Sequence, residues 1–62
     1  MNDMKLWIAR DKWGELGLFT NKPIMSRGSW YTEDDDEFIL NSKTFPEVTF
    51  ENSPQEVELK LI

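Results

Sequence analysis

The densest group of chemically active side chains in this 62-residue sequence is acidic: Glu33, Asp34, Asp35, Asp36 and Glu37 follow one another without interruption. Hard cations take several oxygen ligands, but a calcium loop spaces its ligands around a turn that contains glycine, and adjacent carboxylates point in different directions. The run therefore predicts a solvated loop rather than a metal site, because five like charges in a row resist burial. With Glu47, Glu51, Glu56 and Glu58 it could also form an extended acidic surface. Carboxylates on such a surface can stand where phosphates would, facing the arginine forks of a nucleic-acid-binding protein.

Histidine and cysteine are both absent, which removes disulfides, thiolate zinc sites and most nucleophile–base pairs. Ser26, Ser29, Ser42 and Ser53 have no imidazole to activate them, and the adjacency of Ser42 and Lys43 is not the geometry of a serine–lysine pair. Paired carboxylates can do acid–base work only in a cleft that shifts one of them, and so short a chain has little depth to offer. The expectation is a protein that is not an enzyme, with no catalytic residue, no metal and no cofactor.

Aromatic residues carry the remaining signal: three Trp, four Phe and one Tyr in 62 residues. Trp7 and Trp30 fall in strand-like runs and read as residues of the core or of a covered sheet face. Trp13 falls at a turn tip, where an indole gains burial only by folding back or meeting a partner. Trp13 is thus the leading candidate contact for a protein partner, with Lys12 and Arg10 beside it. The structural alternative for Arg10 is a cross-strand pair with a carboxylate.

The elements that position these residues begin with two apolar runs, Leu6-Trp7-Ile8-Ala9 and Leu16-Gly17-Leu18-Phe19, joined through Asp11-Lys12-Trp13-Gly14. A type I turn with Gly14 left-handed predicts a hairpin in which Arg10 faces Leu16, Ala9 faces Gly17, Ile8 faces Leu18 and Trp7 faces Phe19. That register gathers Leu6, Ile8, Leu16 and Leu18 on one face, and Trp7, Ala9, Gly17 and Phe19 on the other. Met1-Asn2-Asp3 reads as a disordered leader before a single small β domain over 4–62.

Thr20-Asn21-Lys22-Pro23 should break the second strand, and Ser26-Arg27-Gly28 should turn. Ser29-Trp30-Tyr31-Thr32 and Phe38-Ile39-Leu40 read as strands, and residues 41–46 as a turn. A short extended piece is expected over 47–51, then a turn at Asn52-Ser53-Pro54. Glu56-Val57-Glu58-Leu59-Lys60-Leu61 alternates as a strand with one wet face, its core side being Val57, Leu59 and Leu61. The fold class is mainly β: one antiparallel sheet of four to five strands, meander-like after its N-terminal hairpin, with little helix.

The segments Lys5-Leu6-Trp7-Ile8-Ala9-Arg10-Asp11 and Phe45-Pro46-Glu47-Val48-Thr49-Phe50-Glu51-Asn52-Ser53-Pro54 resemble those of a group of small uncharacterised proteins from gut-associated anaerobic bacteria, their phages and mobile elements. The resemblance implies an accessory or host-interaction role and brings no site residue with it.

Net charge is −5, divided as +2 over residues 1–32 and −7 over residues 33–62. An acidic half repels phosphates, so no direct nucleic-acid binding is expected, although a basic protein surface would be attracted. No run reaches the length of about 20 apolar residues that spans a bilayer, so no membrane partner is expected and the cytoplasm is the expected compartment. Three readings follow: a non-catalytic interaction module for a protein partner yet to be identified, an acidic inhibitor that mimics nucleic acid, and a small structural subunit of an assembly. A second copy of the chain could cover a sheet face that 62 residues leave bare, so a homo-oligomer accompanies the first reading.

Overall fold

A computed structural model describes residues 3–34 and 36–60, and within them the chain is all-β. Six strands form: β1 (Asp3–Arg10), β2 (Leu16–Phe19), β3 (Ile24–Ser26), β4 (Ser29–Tyr31), β5 (Phe38–Leu40) and β6 (Gln55–Lys60). A four-stranded antiparallel sheet has the order β5-β2-β1-β6, and β3 pairs with β4 in a second, two-stranded sheet. Met1, Asn2, Asp35 and Leu61, on which parts of the expected leader, acidic run and terminal strand fall, lie outside the described residues. Asp3, expected to close the leader, is the first residue of β1 and pairs with Lys60.

The N-terminal hairpin occupies the two central positions in the expected register, from Trp7 opposite Phe19 to Arg10 opposite Leu16. Its turn closes through Asp11. The Asp11 N–H donates to the Glu15 carbonyl at 2.9 Å and the Gly14 N–H to the Asp11 carbonyl at 3.1 Å. Asp11 Oδ1 accepts from the Trp13 and Glu15 amides, both at 2.9 Å. Gly14, at φ +96°, supplies the left-handed residue that lets the strands keep pairing after a type I turn.

The first face of the sheet carries Leu6, Ile8, Leu16 and Leu18, extended by Leu40 of β5 and Val57 of β6 through the pairings Leu16–Leu40 and Leu6–Val57. Ile8 and Leu16 form the buried core with Val48, which reaches in from the connection between β5 and β6. On the second face Ala9 and Phe19 are buried, and Pro23, between β2 and β3, is buried as well. Lys22 Nζ sits 5.6 Å from the centroid of the Trp7 ring, and the Glu37 carboxylate lies where a side chain on Gly17 would be. The β3–β4 hairpin closes against the tip of the first one: the Lys12 N–H donates to the Gly28 carbonyl at 2.8 Å, and Trp30 Nε1 donates to the Arg10 carbonyl at 3.0 Å.

Two local expectations are corrected. Ile24–Ser26 forms a strand that three exposed side chains gave no alternation to reveal. Residues 47–51 make turns instead of an extended piece, because Asn52 captures the backbone groups a strand would pair. Its Oδ1 accepts from the Thr49 amide at 2.8 Å and its Nδ2 donates to the Glu47 carbonyl at 2.9 Å.

Candidate functional site

Arg10 stands at the end of β1, and its guanidinium is committed inward. Nε donates to the Val48 carbonyl at 2.6 Å, Nη1 to Gly14 at 2.8 Å and Ser42 at 2.9 Å, and Nη2 to Thr44 at 3.0 Å and Phe45 at 3.1 Å. All five N–H donors of the side chain are thereby engaged by main-chain carbonyls. The Arg10 amide adds a bond to Ser53 Oγ at 2.9 Å, and Ser53 Oγ in turn donates to the Thr49 carbonyl at 2.5 Å. The Arg10 guanidinium is thus engaged within the chain, and main-chain carbonyls take the place of the carboxylate pair considered for it. It is the clamp that folds residues 42–53 over the first face and seats Val48.

Trp13 remains at the surface, 71% exposed, with its ring edge resting against Gly28. Lys12 beside it is exposed as well. Trp13 and Ile39 both line an open cleft of about 630 Å³ that also touches Arg10, Glu15 and Leu40.

The expected acidic surface is divided by the sheet. Asp36 is an internal partner: its carboxylate accepts from the Thr20 hydroxyl and amide, from Asn21 Nδ2 at 3.1 Å and from the Thr32 hydroxyl. These bonds favour the ionised form, Thr20 most and Thr32 next, and hold the carboxyl at about 2 instead of the ordinary 3.8. Asp34 accepts from Asn21 Nδ2 at 3.3 Å, and Glu33 and Asp34 line a shallow hollow with Lys22 and Ile24. Glu37 lies on the second face over Gly17, Glu47 borders a groove on the first, and Glu51 is exposed in the turn after Thr49. Asp35 lies outside the described residues. Among the described residues, the carboxylates do not form a single plane.

That groove on the first face, about 400 Å³, is lined mainly by apolar side chains. Its floor is Leu6, Ile8, Leu18 and Val57, and Val48, Phe45 and Leu59 border it. Val48 covers only the end of the face nearest Leu16. Beyond it Met4 and Leu59, partners across β1 and β6, are 52% and 51% exposed, and Phe45 is 51% exposed. Leu59 thus lies on the expected side of β6 without being buried. Sequence reasoning missed Phe38, Ile39 and Phe45 as surface residues. An uncharged three-residue run with apolar groups on both sides was the available signal for the first two.

No protein-family model, curated protein or solved structure matches the chain. Among the described residues no group of three or more acidic side chains is arranged to hold a metal ion, and no helix is long and apolar enough to cross a membrane.

Proposed function

We propose that the protein is a non-catalytic interaction module that binds another protein through the open part of its first sheet face. The observation that carries this reading is the groove floored by Leu6, Leu18 and Val57 and bordered by half-exposed Phe45 and Leu59. Apolar surface of this kind, concave and ringed by polar residues, is what a protein partner buries. Trp13 adds a second exposed aromatic anchor at the hairpin tip. A cysteine-free chain suits a cytoplasmic setting, where disulfides do not persist. The acidic-inhibitor reading loses weight because its carboxylates lie on opposite sides of the sheet and Asp36 is engaged within the chain.

Capture of partners from an extract of the encoding organism, at low and high salt, tests the reading. Leu59→Asp should abolish capture of a partner that persists at high salt, with the far-UV circular dichroism of the protein unchanged. A partner held only at low salt and indifferent to Leu59→Asp would overturn it in favour of the acidic surface, since exposed charge pairing is screened by salt and apolar burial is not.

A further inference from the structure

Among the described residues, the four-stranded sheet has two open edges of opposite character. On β6 the exposed Glu56 and Glu58 alternate with Val57 and Leu59, a pattern that discourages pairing with another strand. On β5 every residue is apolar, and Phe38 and Ile39, which point to opposite faces, are 62% and 59% exposed. No charge or proline interrupts Phe38–Leu40, and its pairing with β2 runs without a break. A strand edge of this composition is a template for another strand.

We infer that the β5 edge pairs with β5 of a second copy of this chain, antiparallel and centred on Ile39. The inference goes beyond the interaction-module reading, because it concerns the edge of the sheet and not the groove on its first face. Centred on Ile39, the pairing sets Phe38 opposite Leu40 of the other copy twice and Ile39 opposite itself. Glu37 then faces Asn41, so no carboxylate meets a carboxylate across the seam. A register centred on Phe38 would instead set Asp36 against Leu40 and Glu37 against Ile39, and one centred on Leu40 would set Phe38 against Ser42. Only the Ile39 register matches apolar with apolar at all three positions.

The product is an eight-stranded sheet whose two outer edges are both the charged β6. Phe38 and Leu40 share the first face with Leu18 and Leu16, so the seam joins the two open apolar faces into one surface. Each copy carries a net charge of −5, which opposes association. Raising ionic strength should therefore tighten the dimer, the reverse of what an association driven by charge attraction does.

Sedimentation equilibrium over a range of concentration and salt is the test, with Ile39→Lys and Ile39→Glu made on an exposed side chain that the fold does not bury. Wild type should move from the mass of one 7.4 kDa chain towards twice that value as concentration rises, more readily at high salt. Each variant alone should stay monomeric, because like charges would face each other at the two-fold axis, and an equimolar mixture of the two should recover the dimer. Wild type that stays monomeric throughout, or variants that dimerise as well as wild type, would overturn the inference. In either case the Leu59→Asp capture result stands separately: retained capture leaves the interaction module intact without this dimer. Dimerisation lost with Leu59→Asp but not with the Ile39 variants would move the second copy from the edge to the groove.

Discussion

Arg10 offers five donors in a planar fork, and the chain returns five carbonyls from Gly14, Ser42, Thr44, Phe45 and Val48 to meet them. Hydrogen bonds from a charged donor contribute about 1.5–3 kcal/mol each and do not add simply. Arg10→Ala should therefore cost about 3 kcal/mol or more. A 62-residue domain has on the order of 3–9 kcal/mol in total, so the loss is a large part of its stability. Arg10→Lys keeps the charge but replaces the fork by a point donor, and should be nearly as destabilising in urea unfolding. A lysine variant within about 0.5 kcal/mol of wild type would mean that charge alone holds the loop. Phe45, at φ +49°, shows the local cost of this arrangement: its backbone adopts a left-handed conformation while its carbonyl accepts from both Arg10 and the Val48 amide.

Two hairpins meet tip to side, and each solves its turn differently. The first uses Asp11 as a side-chain cap and Gly14 as the left-handed residue. The second has two residues between Ser26 and Ser29, Arg27 at φ +53° and Gly28 at φ +85°, the signs that a type I′ turn requires. Arginine is poorly suited to the first of these positions, where asparagine is favoured. Arg27→Asn should raise stability by about 0.5–1 kcal/mol, seen as a higher urea midpoint at constant slope. An unchanged or lowered midpoint would show that Arg27 makes up its backbone strain elsewhere. Gly28 has a second role, since any side chain there would meet Trp13 and Lys12.

At the scale of the whole molecule, Asp36 ties the end of β2, through Thr20 and Asn21, to the end of β4, through Thr32. It thereby latches the two-stranded sheet to the four-stranded one. Its carboxyl is lowered from 3.8 to about 2 in the folded chain, so the unfolded state binds its proton first as pH falls. The stabilisation is complete above about 4 and is lost as pH drops towards 2. Asp36→Asn should be less stable than wild type at neutral pH, with the difference closing between about 4 and 2 in a series of urea titrations. Parallel stability curves across that window would show that the carboxylate contributes nothing as an anion. The extents of the molecule, 37 × 26 × 17 Å, explain why its first face stays partly open. Among the described residues, the four-stranded sheet with a single loop across its first face has no second full layer to bury Met4, Phe38 and Leu59.

The β class, the first hairpin with its register, the division of its side chains between two faces, the strand at Phe38–Leu40 and the terminal strand were all legible in the sequence, because each follows from contacts or alternation within a few residues. Asp36 shows the limit of that reading: inside an acidic run it looked solvated, and only the approach of Thr20 and Thr32 made it a latch. Arg10 shows the same limit from the cationic side, its carbonyl partners lying as far as 38 residues along the chain. Local sequence sets the period and the turn chemistry, whereas strand order, the seating of Val48 and the scattering of the carboxylates depend on which distant segments share a face. That choice is made by burial and by hydrogen-bond satisfaction over the whole chain, and it left one apolar edge and one half-covered face exposed.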